Sequence, residues 1–324
     1  MEQLLEFSDV HVLVLGDIMI DEYIFGQTNR ISPEAPVPVV QLKSREHRLG
    51  GAANVAMNTS SLGAKTTMIG IIGDDFNGRI LTSLTNEKKD IKTFFIKDTA
   101  RKTTCKTRIL ADNQHLLRVD NEDDYDSDDE VVAKVENMLK YVHHNQKVDI
   151  LILQDYNKGF FSPSMIKMVM NWSKANAIRT ALDPKEKHLE LFKGVNIFKP
   201  NLKEVKHFLG KEVILNEKGL KDCGTRVLKL MACEVMVLTL SSKGIFIAEK
   251  SSHHWESTSA QSIVDVSGAG DTVMGLVALL YSKSIATQEE LAQLANYGGA
   301  AVCRVPGVAV VDKEMIINVV KKVE

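Results

Sequence analysis

Apolar positions along this chain follow two alternating patterns. Short continuous runs rich in β-branched residues at 10–15, 67–72, 91–96, 149–153, 179–182, 196–198 and 235–240 predict strands buried on both faces. Between them, residues 52–62, 76–85, 129–141, 163–175, 202–209 and 219–231 space their apolar side chains as helices do. This alternation predicts a mainly parallel sheet covered by helices on both faces, the α/β class. Beyond residue 240 the pattern changes. Residues 245–248 and 253–255 read as antiparallel strands, and 269–282, 288–303 and 313–323 as long helices.

Two stretches fall outside the alternation. Pro33, Pro36 and Pro38 punctuate residues 31–42, which predicts an extended edge segment, because proline cannot donate to a central ladder. Residues 103–110 and 114–119 form a second extended pair turning at Asp112-Asn113. Together they predict a small β layer, about 22–44 plus 103–120, projecting from the main sheet of a single domain spanning 1–324. Seven of the ten residues 121–130 are acidic, which reads as a solvated connector ahead of a helix.

Composition narrows the class. A length of 324 residues suits one large α/β domain or about two smaller ones. With 44% hydrophobic and 25% charged residues, collagen-like and wholly disordered readings are excluded. Forty Lys and Arg against 42 Asp and Glu give a net charge of −2 without a basic block, which argues against a nucleic-acid partner. The N-terminus lacks the basic and apolar regions of a signal peptide, and no run approaches the length of a membrane span. Cys105, Cys223, Cys233 and Cys303 are scattered, which suits reduced thiols. The expectation is a cytoplasmic protein with small-molecule partners and no membrane association.

The string Val264-Asp265-Val266-Ser267-Gly268-Ala269-Gly270-Asp271-Thr272 is the most informative. It joins a strand-like region to an apolar helix, and its small residues let backbone N–H groups point out from a helix start, an anion site. A carboxylate at Asp271 would sit beside bound phosphate oxygens; the plain alternative is an acid capping the first turn. A dinucleotide fingerprint would need glycine where Val273 stands, and no Walker loop occurs. Near the other end, Gly50, Gly51 and Asn54 open a helix where a ligand can approach the backbone and Asn54 can meet sugar hydroxyls, although a plain Gly-Gly turn has the same pattern. Asp17 and Asp21 follow the first strand, at the end where open α/β sheets bind ligands, or belong to a polar turn. Asn201 and Glu204 either form a capping box or orient water around a nucleotide-borne Mg²⁺. The nine histidines show no metal-site spacing, and Cys303 reads as helix packing.

Taken together and in order, these strings resemble ribokinase-like (PfkB-type) carbohydrate kinases over nearly the whole chain. Gly50-Gly51 with Asn54 is similar to the N-terminal signature, and Ser267 to Thr272 to the C-terminal one. Thr28 to Val39 resembles the signature of D-glycero-β-D-manno-heptose-7-phosphate kinases. So do Lys106-Thr107-Arg108, Asn113-Gln114, Arg118-Val119-Asp120, Asp155-Tyr156-Asn157-Lys158-Gly159 and Asp183-Pro184-Lys185. The resemblance implies a three-layer α/β/α fold whose small β layer is a lid contributing to a homodimer. It implies ATP-dependent phosphorylation of the anomeric hydroxyl of the heptose 7-phosphate, a step toward ADP-heptose and lipopolysaccharide core, in a stand-alone kinase form. A kinase of another sugar or sugar phosphate and a catalytically silent sugar-binding regulator are the alternatives.

The resemblance also implies roles. Asp271 is the base, and Gly268, Ala269 and Gly270 donate backbone N–H groups to the migrating phosphoryl. Asp17, Asp21, Gly50, Gly51, Asn54 and Asp155 lie on the sugar side, with Lys106, Arg108, Arg118, Lys158 and Lys185 as phosphate binders. Asn201, Leu202, Lys203, Glu204, Thr239, Ser241, Gly244 and Asn296 line the ATP site. Glu204 meets Mg²⁺ through water, and Asp265 lies where relatives bind a monovalent cation such as K⁺. Four departures stand out: Asp112 replaces an expected Arg, Gln154 an expected Ser, Ser267 the commoner Thr, and Arg304-Val305-Pro306-Gly307 interrupts a small-residue run. A helix N-terminus also favours the anion, which makes Asp271 a weak ground-state base by expectation.

Overall fold

The layering starts from β1 (His11–Gly16), buried along its whole length. Its alternate residues separate two apolar clusters: Val12 and Val14 join one, Leu13 and Leu15 the other. In the computed structural model, which describes residues 2–112, 114–258 and 263–323, β1 leads into a long hairpin. This is β2 (Ile18–Ile31) and β3 (Pro38–Gly51), running straight into α1 (Ala52–Ser61). Then come β4 (Lys65–Gly73), α2 (Phe76–Asn86), β5 (Ile91–Asp98) and a second hairpin, β6 (Cys105–Ala111) and β7 (Gln114–Asn121). The alternation continues with α3 (Asp129–Asn145), β8 (Ile150–Gln154), α4 (Pro163–Ala175), β9 (Arg179–Asp183), β10 (Ile197–Phe198), α5 (Leu202–Leu209), α6 (Glu217–Met231) and β11 (Val235–Thr239). It closes with β12 (Ile245–Glu249), β13 (His253–Glu256), α7 (Ala269–Lys283), α8 (Gln288–Val302) and α9 (Lys313–Val323).

Nine strands form the main sheet in the order β13-β12-β11-β10-β9-β8-β1-β4-β5. Neighbours from β11 to β5 are parallel, and β12 and β13 add an antiparallel edge. Apolar residues of α1, α7, α8 and α9 pack on one face, and those of α3, α4 and α6 on the other, giving three layers as the periodicity predicts. Among the described residues, no helix is long and apolar enough to cross a membrane.

The second sheet, ordered β3-β2-β6-β7, is longer than the prolines suggest. Residues 18–21 and 45–51 extend it to the main sheet, because β2 and β3 stay paired from Ile18↔Gly51 to Ile31↔Pro38. Pro33 and Pro36 lie in the turn, and Pro38 begins β3, the edge strand. Asn113 of the expected turn lies outside the described residues; Asp112 accepts from the Thr28 hydroxyl at 3.0 Å and pins the hairpin to β2. The acidic segment is a connector ahead of α3 with Asp124, Asp129 and Glu130 exposed, and several of its acids also hold partners. Glu122 pairs with Lys106 and Lys158, Asp126 with Lys187 and His188, and Asp128 caps α3.

Candidate active site

The carboxyl ends of β1, β8, β9 and β10 face the start of α7. Gly268 is the N-cap of that helix at φ +80°, and a Cβ there would stand 2.8 Å from Asn54 Nδ2, so both backbone shape and space require glycine. Asp265 closes the loop by accepting from the backbone N–H groups of Ser267 and Gly307, each at 2.9 Å. Partial burial raises its pKa, but these donors outweigh that and leave it below the usual carboxylate value. The departure at 304–307 thus has a local role: Gly307 meets Asp265, while Arg48 donates to the carbonyls of Pro306 and Val308. His115 Nε2 stands 3.9 Å from Asp265 Oδ2, the carboxylate at which the resemblance places a monovalent cation.

Asp271 is buried at 4% exposure and takes three side-chain donors. Asn54 Nδ2 reaches Oδ2 at 2.8 Å, while the Tyr156 hydroxyl at 2.7 Å and Gln154 Nε2 at 3.1 Å share Oδ1. Loss of hydration dominates: burial drives its pKa up, the Asn54 and Tyr156 donors oppose, and the carboxyl ends at about 7. The expectation of a weak base is therefore corrected. Burial of the carboxyl in the first turn of α7 is the largest cause of that rise. Asn54, expected among the sugar hydroxyls, is wholly buried and spends its amide on Asp271 and Asn58. Of the expected phosphoryl donors, Ala269 N–H turns to Val266 O at 3.3 Å, which leaves Gly268, Gly270 and Asp271 as the remaining positions at this helix start.

Behind Asp271 runs a chain of polar contacts. Gln154 Nε2 also donates to Asp183 Oδ2 at 2.9 Å, and Asp183 Oδ1 holds Lys199 Nζ at 2.9 Å. That ammonium is buried and lies 3.9 Å from where a Cβ on Gly270 would stand. A cation and a helix N-terminus therefore converge on one spot, a combination that attracts an anion.

On the other side the second sheet brings its charged face. Asp21 pairs with Arg108, which lies over the Tyr23 ring; a Cβ on Gly50 would stand 2.2 Å from Asp21 Oδ2. By register, Asp21, Tyr23, Lys106, Arg108 and Arg118 share this face. Every phosphate-binding candidate has a carboxylate partner: Lys106 and Lys158 hold Glu122, Arg118 holds Asp120, and Lys185 holds Glu204. Asp17, expected to face the sugar, spends both oxygens on the backbone N–H groups of Tyr156, Lys158 and Phe160 and so anchors that loop. Gly51 is the N-cap of α1. Asp155 is buried and accepts from Asn157 N–H; desolvation and the nearby Asp17 push its pKa up.

Across α7 lies a cleft of about 570 Å³, a size that takes a small-molecule ligand. Asn201, Leu202, Lys203, Thr239, Ser241 and Gly244 form one wall, and Asn296 stands on α8 opposite. Apolar Ile263, Val266 and Val273 complete it, with Ala269 and Gly270 at the shared floor. Asn201 and Glu204 form the capping box of α5, and Glu204 places its oxygens on Lys185 and on Asn201 N–H. Among the described residues no cluster of three or more His, Cys, Asp or Glu can hold a metal ion.

Reading the sequence leaves Gln154 and Lys199 without a role, and Tyr156 without one beyond its motif. Gln154 is visible there only as a substitution in a familiar string, and Lys199 only as the residue before Pro200-Asn201. Their function depends on β8, β9 and β10 ending side by side, which no local pattern encodes.

The chain matches the model of the pfkB family of carbohydrate kinases over residues 10–314. It is 37% identical over 321 residues to the bifunctional protein HldE of Haemophilus influenzae (strain ATCC 51907 / DSM 11121 / KW20 / Rd), covering 97% of this chain and 64% of that protein. The HldE of Caulobacter vibrioides is 34% identical, over 94% of this chain and 62% of the relative. The chain thus spans about two thirds of the length of these relatives, just short of that fraction. Among solved structures, phosphofructokinase-2 from Escherichia coli in complex with substrates and products superimposes with a TM-score of 0.81 at 16% identity, covering 97% of this chain and 98% of the other. Arabidopsis thaliana ribokinase complexed with ribose and ATP gives 0.71 at 18% identity, covering 96% and 98%. These likenesses show the ribokinase-like α/β fold. With the family match and the HldE likeness beside the buried carboxylate at a glycine-rich helix start, the chain belongs to the pfkB family of ATP-dependent carbohydrate kinases.

Proposed function

We propose that this kinase phosphorylates the anomeric hydroxyl of D-glycero-β-D-manno-heptose 7-phosphate, giving the 1,7-bisphosphate. The observation that carries the chemistry is the position of Asp271, buried between the nucleotide-sized cleft and the charged face of the second sheet, with a carboxyl pKa of about 7. A base poised near the working pH combines a usable anionic fraction with real proton affinity. ATP occupies the cleft by Asn201, Thr239, Gly244 and Asn296, and its terminal phosphate meets Lys199 and the outward N–H groups of α7. Asp271 takes the proton of the attacking hydroxyl, and much of the acceleration comes from positioning around a loose transition state.

Asp21, Gly50 and Gly51, with Asp155, shape the sugar side, while Asn54 and Asp17 hold the frame. Lys106, Arg108, Arg118 and Lys158, with Lys185 nearer the nucleotide, receive phosphate oxygens by exchanging their carboxylate partners. Glu204, now paired with Lys185, would hold a nucleotide-borne Mg²⁺ through water, and that ion would supply neutralisation of phosphate charge. The choice of the heptose phosphate rests on the resemblance of residues 28–39, 106–120, 155–159 and 183–185 to that branch of the family.

The second sheet acts as a lid. Its opposite face exposes Leu42, Leu117 and Val119, which share one side by register and would pack against a second copy. A coupled ADP-release assay tests the reading, comparing the heptose 7-phosphate with fructose 6-phosphate, fructose 1-phosphate, ribose and buffer. Preference for the heptose phosphate supports it. Turnover only with another sugar keeps the kinase chemistry and discards the heptose.

A further inference from the structure

Gln154 ends β8 at a point where its backbone has no freedom. It pairs with Gly16 on β1 and Asp183 on β9, and its carbonyl accepts from Asp17 N–H at 3.1 Å. The side chain is wholly buried. One nitrogen, Nε2, stands 2.9 Å from Asp183 Oδ2 and 3.1 Å from Asp271 Oδ1, so each amide hydrogen serves one carboxylate. Turning the amide over would set its oxygen against two carboxylate oxygens, so chemistry fixes the orientation.

The other end of the amide is anomalous. Oε1 is buried without a partner, an arrangement that costs stability and calls for a reason. Methionine would fill the same volume without that penalty, so the two N–H groups are what this position supplies.

We propose that Gln154 is a positioning residue for the phosphoryl-transfer step: its amide clamps Oδ1 of Asp271, directs the incoming proton to Oδ2, and separates Asp271 from Asp183. The division of donors supports this. Oδ1 takes both Gln154 and Tyr156, while Oδ2 takes Asn54 alone and keeps a lone pair. The charged and titratable groups facing Asp271 are Tyr156 from the loop after β8, Asp183 from β9 and Lys199 from the residue after β10; α1 contributes the neutral Asn54. Removing the amide leaves two buried carboxylates without their shared donor. The anion of Asp271 loses support and its pKa rises.

This inference rests on Asp271 being the base, and the test separates the two. Protein labelled with ¹³C at the aspartate side-chain carboxyls is titrated by NMR, with the Asp271 signal assigned by its absence in Asp271→Asn. In Gln154→Met, of equal length and without donors, the Asp271 midpoint moves up by about one pH unit or more, the worth of a hydrogen bond to a charged group. With the accepted sugar, the acid limb of kcat follows by the same amount, while the KM for ATP stays unchanged. Gln154→Glu, whose protonated form donates once, moves the midpoint in the same direction and serves should the methionine variant not fold. An unmoved midpoint in either folded variant overturns the proposal. Activity persisting in Asp271→Asn removes the base assignment itself, whatever Gln154 does.

Discussion

The phenol of Tyr156 donates to Oδ1 of Asp271 at 2.7 Å, joining the loop after β8 to the first turn of α7. The loop can hold that pose because Asp17 takes the backbone N–H of Tyr156 at 2.8 Å and of Lys158 at 3.0 Å. Two buried acids from distant parts of the chain thus share one loop, one fixing its backbone and the other receiving its side chain. Burial and the neighbouring carboxylates hold the phenol itself neutral, well above its ordinary pKa, so it is a constant donor at working pH.

Tyr156→Phe keeps the ring and removes the donor. The anion of Asp271 loses one charge-assisted hydrogen bond, so its pKa rises and the acid limb of kcat moves up by roughly one pH unit. The KM for the sugar changes less than kcat does. Steady-state kinetics across pH checks this, and an unshifted limb would show that the bond does not bear on the base.

Asp271→Asn is expected to retain nucleotide binding and lose phosphoryl transfer by roughly 10² or more. It also has a stability signature. The folded-state pKa of about 7 exceeds the ordinary 3.8, so the native protein holds a proton that the unfolded chain releases between those values. Stability contributed by Asp271 is therefore full at the acid end and falls as pH rises toward 7. The variant lacks this fall, so its melting temperature relative to the parent moves in its favour between about pH 4 and pH 7. Parallel melting curves with no pH-dependent gap would mean that the carboxyl does not titrate there.

The main sheet and its helices are legible because buried parallel strands and amphipathic helices write their periods locally. The glycine-rich start of α7 is legible for the same reason: Gly268 answers a local demand of the backbone. The second sheet is only half legible, since β2 and β3 cross from a buried end at Ile18 to an exposed one at Ile31 and carry no single pattern. Asp17 and Asn54 carry a framing role that the sequence does not show. Both are polar residues at a ligand-binding end, and only the fold reveals that their hydrogen bonds are spent on the loop and on Asp271.

Glu122 holds two of the proposed phosphate-binding lysines at once, Lys158 at 2.6 Å and Lys106 at 3.1 Å. A bound phosphate must displace it. Glu122→Gln removes the competing charge, so the KM for a phosphorylated sugar is expected to fall by roughly two- to fivefold, within the range measured for partly exposed ion pairs. An unphosphorylated analogue should show no gain. Equal effects on both substrates would place the phosphate elsewhere.

Gly268 and Gly270 stand two residues apart and predict opposite outcomes. At Gly268, φ is +80° and a Cβ meets Asn54 Nδ2 at 2.8 Å, so Gly268→Ala strains the backbone and pushes on the residue that holds Asp271. It should cost about 1–2 kcal/mol from the left-handed conformation alone. At Gly270 the nearest atom to a Cβ is Lys199 Nζ at 3.9 Å, an ordinary contact. Gly270→Ala should therefore fold with near-parental stability. Its methyl group, however, stands where the helix start and Lys199 face the incoming phosphoryl, so kcat falls while the sugar KM holds. Denaturant unfolding alongside kinetics separates the two. A stable Gly268→Ala with full activity, or an unimpaired Gly270→Ala, would contradict the placing of the anion at this turn.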